Sequence, residues 1–554
     1  MDGDGDGFTA MAEGGDDCDD LDPEVHPAAG EVPYDGVDQD CDGVDLTDQD
    51  GDGWDGGAGP AAEDCDDLDS VIYPGAVDTC YDGVDADCAG DDDDDCDHDG
   101  QRAPAYGGAD CDDLDPAVYA GGAESWADLA SDNDCDGSLA DPVATPLAEV
   151  ATVLSPPGAG GRFGNSVGVL PDADGDGRPE VWISAPYQAG AAANIGALYV
   201  VMSETLEPGS DLTTEAPALV GVAEGDLLGT SVSTGDSDGE PSVYVSSIGA
   251  GGNAGAVYQL SASALEAGAE RSPETEAVRS FVGEAGDYVG TRVVADRDFD
   301  GDGLDDVLVE APGAGKVALF SSGGSGTLSL TDADVTWTAD ASRWLNASGL
   351  DDVDGDGVDD IGVAQGNTPT GTVGSALYRG GATVAGGAFP ESAYVGFVDS
   401  PSFGAFTETA WGERVLLMVQ WQVSAFVGVT EGATYDALTD PDWAVFRDPE
   451  EGGFTDVLPL YLGSVGWSFL LTAPYSPADA QTGTCVVWTS EDWHGDVFAR
   501  DLPLAVVGDQ PGDRGCRSVV PVDDADGDGH PDLIVGADGA GPDEQGRAYL
   551  LLAP

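Results

Sequence analysis

Asp298-Phe-Asp300-Gly-Asp302-Gly-Leu-Asp-Asp306 runs straight into Val307-Leu-Val309, and the same arrangement occurs three more times. Asp172, Asp174, Asp176 and Glu180 lead into Val181-Trp-Ile183; Asp352, Asp354, Asp356 and Asp360 lead into Ile361-Gly-Val363. Asp524, Asp526, Asp528 and Asp532 lead into Leu533-Ile-Val535. Carboxylates at positions 1, 3, 5 and 9, glycine at 6 and a free carbonyl at 7 supply the oxygen shell that a hard cation such as calcium takes. An EF-hand places its chelating Glu at position 12. Here position 12 is Ile183, Val309, Val363 or Val535, already inside an apolar run. These loops therefore join strands, and calcium is expected to build an all-β protein.

At 554 residues the chain should hold more than one domain. Against 109 acidic residues stand 16 basic ones, with Lys316 the only lysine, for a net charge of -93. Electrostatics exclude a nucleic-acid partner, and so much like charge calls for bound divalent cations. No apolar run approaches a membrane span. Met1 leads directly into Asp2-Gly-Asp4-Gly-Asp6 without a signal peptide. Calcium loops suit the calcium level outside cells, and ten cysteines suit an oxidising compartment. The expected location is extracellular or at the cell surface, with an incomplete N-terminus and a lost export signal.

The first 141 residues carry one basic side chain, Arg102, and are built from three repeats. Cys18, Cys65 and Cys111 step by 47 and 46; Cys41, Cys88 and Cys135 step by 47 and 47. Each repeat opens with an acidic triplet: Asp2/Asp4/Asp6, Asp48/Asp50/Asp52 and Asp95/Asp97/Asp99. A Cys-Asp-Asp-Leu-Asp block follows at Cys18, Cys65 and Cys111. The first and third repeats close on further triplets, Asp38/Asp40/Asp42 and Asp132/Asp134/Asp136, whereas the second has Ala89 at the last place. A charge run usually marks disorder, but disorder needs no cysteines held 23 or 24 residues apart in every copy. Metal-organised repeats whose folding is coupled to calcium are expected. The expected disulfides are Cys18–Cys41, Cys65–Cys88 and Cys111–Cys135, leaving Cys80 and Cys96 to pair, although sequence does not fix connectivity.

These repeats resemble the MopE-type metal-binding motif of bacterial surface proteins. Repeat one follows it closely, in Asp17-Cys-Asp-Asp-Leu-Asp-Pro23 and Asp35-Gly-Val-Asp-Gln-Asp-Cys-Asp-Gly43, and repeat three lacks the Asp-Gly-Val portion. The resemblance implies copper as an alternative metal. Thiolate and imidazole suit copper, but only His26 and His98 lie here, at unrelated places in their repeats. Calcium is expected instead. Four loops and five triplets give about nine ions.

From about residue 142 the composition turns to Gly, Ala, Val, Ser and Thr with alternating apolar positions, as in short strands between turns. The first copy of a recurring unit reads Phe163-Gly-Asn-Ser-Val-Gly-Val169, the acidic loop, Val181 to Pro186, Gly196 to Val201, then Ala218 to Ala223. Later copies begin near Leu228, Val289, Leu345, Phe403, Gly453 and Gly515, so seven four-stranded units fill residues 142–554 as a β-propeller. This resembles the FG-GAP repeat propeller of integrin α-chains, on Phe163-Gly164 and on Ala185-Pro186, Ala311-Pro312 and Ala473-Pro474. The resemblance implies calcium between the first and second strands of blades one, three, four and seven. In blade two Thr234 and Ser242 replace the first and ninth ligands, leaving Asp236 and Asp238; blades five and six have no loop, with Trp411, Trp421 and Trp467 as core candidates. Glu149 to Leu154 reads as an unattached fourth strand that completes the last unit. Cys485 and Cys516 would form a disulfide beside that seam or stay as buried thiols.

Gly164-Asn-Ser166-Val-Gly168 fits the nucleophile-elbow pattern, but that elbow needs strand, sharp turn and helix, and Ser166 sits in an alternating strand. No catalysis is expected. The favoured function is an exported calcium-binding surface protein whose propeller face is an adhesion or protein-binding platform, for an unknown protein or glycan ligand. A metal-sequestering protein, or the accessory region of a larger secreted enzyme, are the alternatives.

Overall fold

The structure, a computed structural model, describes residues 2–56, 64–77, 79–88, 95–97, 99–116, 118–120, 135, 143–147, 151–155, 160–170, 178–202, 217–237, 239–265, 270–339, 344–366, 374–382, 384, 386–388, 395–398, 402–408, 414–419, 422–427, 434–436, 443–446, 456–462, 466–474, 482–488, 497–498, 504–522 and 532–551. The chain divides into two compact units, Met1–Ala123 with Ser131–Ser138, and Glu124–Ala130 with Leu139–Pro554.

The described residues of the first unit are almost all loop, with single helical turns at Met11–Glu13 and Pro104–Tyr106. Its disulfides join Cys18 to Cys41, Cys65 to Cys88, Cys111 to Cys135 and Cys80 to Cys96, the expected pairing. The second cysteine of each repeat, Cys41, Cys88 or Cys135, stands in left-handed backbone. Among the described residues each repeat buries one β-branched residue, Val25, Ile72 or Val118, while Leu21, Leu68 and Leu114 of the Cys-Asp-Asp-Leu-Asp blocks stay exposed. So thin an apolar core does not hold a domain, and covalent or metal ties must carry the unit.

The second unit is all-β. Among its described residues are seven sheets, six with four antiparallel strands in sequential order and a seventh with three such strands. Sheet one holds Val167–Leu170, Glu180–Ala185, Ala197–Val201 and Leu219–Val220. Sheet two holds Leu228–Gly235, Ser242–Ser247, Ala256–Ser261 and Arg279–Val282. Sheet three holds Val293–Arg297, Asp306–Ala311, Lys316–Phe320 and Val335–Thr338. Sheet four holds Trp344–Leu350, Asp360–Gly366, Gly374–Tyr378 and Val395–Val398. Sheet five holds Ser402–Glu408, Arg414–Val419, Gln422–Val427 and Trp443–Phe446. Sheet six holds Asp456–Leu462, Gly466–Ala473, Thr484–Trp488 and Leu504–Val507. Sheet seven holds Ser518–Val522, Asp532–Ala537 and Arg547–Leu551.

Sheet seven takes its fourth strand from the start of the unit: Thr152–Leu154 pairs antiparallel with Arg547–Leu551, Val153 opposite Tyr549. That is the strand read from the sequence as unattached. A second regularity was not legible there. Among the described residues, the segment preceding the fourth strand of each of sheets three to seven reaches back and pairs in parallel with the fourth strand of the sheet before. Gly326–Ser329 does this to sheet two, Gly387–Ala388 to sheet three, Thr434–Asp436 to sheet four and Val497–Phe498 to sheet five. Val143–Pro146, just ahead of Thr152–Leu154, does the same to Leu504–Val507 of sheet six. Each outer edge so treated loses its row of free backbone groups.

Alternating apolar residues on both faces of the second and third strands build cores between successive sheets. Trp182, Leu198 and Val200 of sheet one meet Val243 and Val245 of sheet two. Tyr244 and Phe281 meet Val307 and Val309 of sheet three, and Leu308 and Trp337 meet Ile361 and Tyr378 of sheet four. Trp344–Leu350 lies against Ser402–Glu408, which lies against Asp456–Leu462. Leu470 and Cys485 of sheet six pack with Leu533 and Tyr549 of sheet seven, and Ile534 of sheet seven packs with Ile183 of sheet one. Across the first strands, side chains accept backbone N–H groups of the next sheet. Val293 N–H donates to Ser231 Oγ (3.1 Å), Ala295 N–H to Ser233 Oγ (3.0 Å) and Val167 N–H to Ser518 Oγ (3.2 Å). Gly164 explains its element: its φ is +81°, and a Cβ there would lie 2.2 Å from the Arg547 carbonyl oxygen.

Between sheets three and four the acceptor is a carboxylate, as Ala347 N–H donates to Glu310 Oε1 at 2.7 Å. Burial pushes Glu310 up to about 7, with Arg292 pulling the other way. Because the folded state favours the protonated form, this stabilisation is complete below the unfolded value and lost as pH rises through about 7. Glu310→Gln removes that loss. Its melting midpoint should gain on the parent's between about pH 5 and pH 8, by the equivalent of about 3 kcal/mol at most. A constant difference across that range would refute the assignment.

Candidate metal centres

Two acidic loops of the second unit are described in full, at the same connection of sheets three and four. In the first, Asp298 Oδ1 accepts the N–H of Gly301 (2.7 Å) and of Asp302 (3.2 Å), and Oδ2 accepts that of Gly303 (2.8 Å). Asp300 Oδ1 accepts Asp302 N–H (3.1 Å), and Asp302 Oδ1 accepts Leu304 N–H (2.9 Å). Asp306, buried at the start of the second strand, accepts the N–H groups of Phe299 and Asp300 (both 3.0 Å) and Ser322 (2.8 Å). The second loop repeats the pattern. Asp352 accepts Asp356 N–H (3.0 Å) and Gly357 N–H (2.8 Å), while Asp360 accepts Val353 N–H and Gly380 N–H (both 2.9 Å). The left-handed glycines Gly301, Gly303, Gly355 and Gly357 let the chain curl around its own carboxylates.

Burial, then the Asp300 charge, pushes Asp306 up to about 7; burial takes Asp360 to about 6, with Asp354 and Asp356 adding repulsion. A divalent cation relieves this crowding, and the oxygen-only donor set fits a hard ion. The loops carry different outside contacts, at position 5 of the first and position 3 of the second. Ser322 Oγ donates to Asp302 Oδ2 (2.9 Å), whereas Arg379 Nε lies 2.6 Å from Asp354 Oδ2.

Adjacent loops are joined. Asp305 N–H donates to the Asp236 carbonyl (2.9 Å) and Asp236 N–H to Asp305 Oδ2 (2.6 Å). Asp359 N–H donates to the Asp298 carbonyl (3.3 Å). These bonds correct the alignment of the sheet-two loop. Gly323 N–H donates to the Ser237 carbonyl just as Gly381 N–H does to that of Phe299. Asp236 therefore stands where Asp298 stands, as position 1, and Thr234 lies inside the strand Leu228–Gly235. Ser242 stands where the ninth ligand Asp306 stands, since it pairs with Gly235 as Asp306 pairs with Arg297, and this loop is two residues shorter.

In sheets one and seven only the ninth ligands, Glu180 and Asp532, are described; both are buried at the head of their second strands. Asp172, Asp174, Asp176, Asp524, Asp526 and Asp528 lie outside the described residues, as do Asp238, Trp411 and Trp421. The side chain of Trp467, in Gly466–Ala473, is likewise outside them.

In the first unit the ligand oxygens of Asp2, Asp4 and Asp6 lie within 4.8 Å of one another, as do those of Asp48, Asp50 and Asp52. Asp95, Asp97 and Asp99 form the matching loop, with Gly100 N–H on Asp95 Oδ2 (3.0 Å) and Gln101 N–H on Asp99 Oδ1 (2.6 Å). Asp38 and Asp40 gather with Glu31, a residue the sequence reading passed over, and Asp42 N–H bridges Asp38 and Asp40 (both 3.1 Å). Asp132, Asp134 and Asp136 lie outside the described residues. The sequence reading also missed the aspartates flanking the first cysteine of each repeat; Asp64 and Asp67 gather with Asp50. Their recurring block was the available signal. All ten cysteines are in disulfides, the fifth joining Cys485 to Cys516, so no thiolate is offered to a metal.

Ser166 is followed by the strand Val167–Leu170, not by a helix, and its N–H donates to Ser184 Oγ (3.0 Å). The nucleophile-elbow geometry is therefore not formed there.

Residues 17–45, 64–94 and 110–141 match the Cu-binding MopE metal-binding motif, and residues 289–330 and 517–551 match the FG-GAP repeat. No curated protein matches the chain. Among solved structures, the WD40 domain of Toxoplasma gondii coronin is similar over 56% of this chain and 64% of its own, under two thirds of its length, at 12% identity and a TM-score of 0.33. A protein from Bacteroides uniformis named for 6-phosphogluconolactonase is similar over 67% of this chain and 90% of its own, at 12% identity and a TM-score of 0.32. The chain thus carries three segments that match a metal-binding motif and two that match the FG-GAP repeat.

Proposed function

We propose that this is an exported calcium-binding surface protein whose second unit is a closed, seven-bladed, non-catalytic propeller serving as a platform for a protein or glycan ligand. The observation that carries the metal is the same in both units. Carboxylates converge with some oxygens fixed by loop N–H groups, in an oxygen-only shell that suits calcium and offers copper neither thiolate nor imidazole pair. Closure is supported by seven sheets of one design, by packing of each on the next, and by the strand Thr152–Leu154 in the last sheet. Five disulfides fit an oxidising, extracellular setting. No helix among the described residues is long and apolar enough to cross a membrane, which says nothing of a β-barrel. The charge of -93 argues against nucleic acid as the ligand and favours a partner met through cations or polar groups.

Calcium stoichiometry by equilibrium dialysis, with copper and magnesium as competitors, tests this reading. About nine calcium ions per chain, displaced by neither competitor at equal concentration, are expected. Tight copper binding with little calcium would instead support a copper-sequestering protein.

A further inference from the structure

The three acidic repeats leave the same oxygens without a hydrogen-bond partner. In the opening triplets these are Oδ2 of Asp4 and Asp6, of Asp50 and Asp52, and of Asp97 and Asp99. Beside the first cysteine of each repeat they are Oδ2 of Asp17, Asp64 and Asp110, in side chains at least nine-tenths buried. The opposite oxygens are spoken for. Asp19, Asp66 and Asp112 each donate their N–H to Oδ1 of Asp17, Asp64 and Asp110, all at 2.9 Å. The residue after the first triplet aspartate donates across to the aspartate two past the cysteine: Gly3 to Asp20 (2.9 Å), Gln49 to Asp67 (3.0 Å), Cys96 to Asp113 (3.3 Å). Backbone bonds thus tie two separate segments together and turn one face of each carboxylate inward.

The inward faces meet. Asp50, Asp64 and Asp67 bring oxygens within 4.8 Å, and Asp50 is also within that distance of Asp48 and Asp52. In repeats one and three the bonds from Gly3 to Asp20 and from Cys96 to Asp113 join triplet and cysteine block in the same way, and Asp17 and Asp110 are buried with Oδ2 unpartnered, as Asp64 is. Buried oxygens of like charge with no donor need a cation among them.

We propose that each repeat holds one calcium ion in a cage closed by two carboxylates outside the triplet: Asp17 and Asp20, Asp64 and Asp67, Asp110 and Asp113. The triplet supplies the other ligands, and the inference rests on the calcium reading above. The closing pair straddles Cys18, Cys65 or Cys111, whose partner Cys41, Cys88 or Cys135 lies in the second acidic segment. The N–H groups of Cys18, Cys65 and Cys111 donate to the sulfurs of those partners (3.0, 3.1 and 3.0 Å). The disulfide therefore positions the closing pair and is a structural part of the cage.

The test is calcium titration of the full chain, read by calorimetry, against a triple variant Asp17→Asn, Asp64→Asn, Asp110→Asn. Three ions are expected to bind on the order of tenfold more weakly or to be lost, since ligand charge sets affinity. A second triple variant, Asp20→Asn, Asp67→Asn, Asp113→Asn, should repeat the loss from the other side of the cysteine. Free-thiol titration in denaturant identifies a variant that failed to form its disulfides, in which case the other set decides. Unchanged stoichiometry and affinity in correctly oxidised variants overturns the cage and leaves the calcium reading standing. A parent that binds no calcium overturns the reading itself. Leu21→Ala, Leu68→Ala, Leu114→Ala, exposed in the same blocks, should bind as the parent does.

Discussion

Excess chelator is expected to abolish the cooperative melt of the first unit at room temperature and to lower that of the second by tens of degrees. A ligand present at about one hundred times its dissociation constant stabilises by about 2.7 kcal/mol per site. About nine such sites would outweigh the 5–15 kcal/mol that ordinary domains retain. The first unit has little to set against the loss: one β-branched residue buried per repeat, four disulfides and a crowd of aspartates. The second unit keeps its sheet cores but loses the ions that neutralise Asp306 and Asp360 at the heads of buried strands. Circular dichroism melts in about 1 mM calcium and in excess chelator, with intact disulfides in both, measure the difference. Superimposable melts would show that calcium is not structural. Magnesium in place of calcium should restore only part of the loss, since it keeps its waters and demands stricter geometry.

Where the chain was legible, its local chemistry was self-sufficient. Position 12 of the acidic loops, Val309 or Val363, fell in an apolar run, and the structure places it in a buried second strand. The cysteine period read as pairing because each repeat must close on itself, and it does. What was hidden depends on residues far apart in sequence. Asp236 was aligned two places out, because only the bonds from Asp305 and Gly323 reveal which carbonyl faces the neighbouring loop. Asp17 and Asp20 read as part of a cysteine block, since the bond from Gly3 to Asp20 that brings this block to the triplet is a tertiary fact. The parallel strands such as Gly326–Ser329 are too short to carry an alternation of their own, and they exist only as edges of another sheet.

Deletion of residues 142–155 is expected to lower the melting midpoint of the calcium-loaded chain by about 10 °C or more, a shift of several kcal/mol. Two strands vanish at once. Sheet seven loses Thr152–Leu154, which pairs with Arg547–Leu551, and sheet six loses the parallel cover of Val143–Pro146 on Leu504–Val507. Two open edges result, each with free N–H and C=O groups. Two core positions empty as well. Leu147 is fully buried among Cys485, Cys516, Leu533 and Tyr549, and Leu154 among Phe163, Ile534 and Leu550. Leu147→Ala and Leu154→Ala should each cost about 2–5 kcal/mol, so the point variants reproduce part of the deletion without opening an edge. The Cys485–Cys516 disulfide, which spans 31 residues, ties sheet six to the entry of sheet seven and adds about 3–4 kcal/mol of its own by chain entropy. It cannot replace the missing strand, because neither cysteine pairs with Arg547–Leu551. A synthetic peptide covering 142–155, added in trans, should therefore restore the midpoint of the deleted chain, and reduction should deepen the deletion rather than mask it. An unchanged melt after deletion would mean that the two strands decorate the unit instead of closing it.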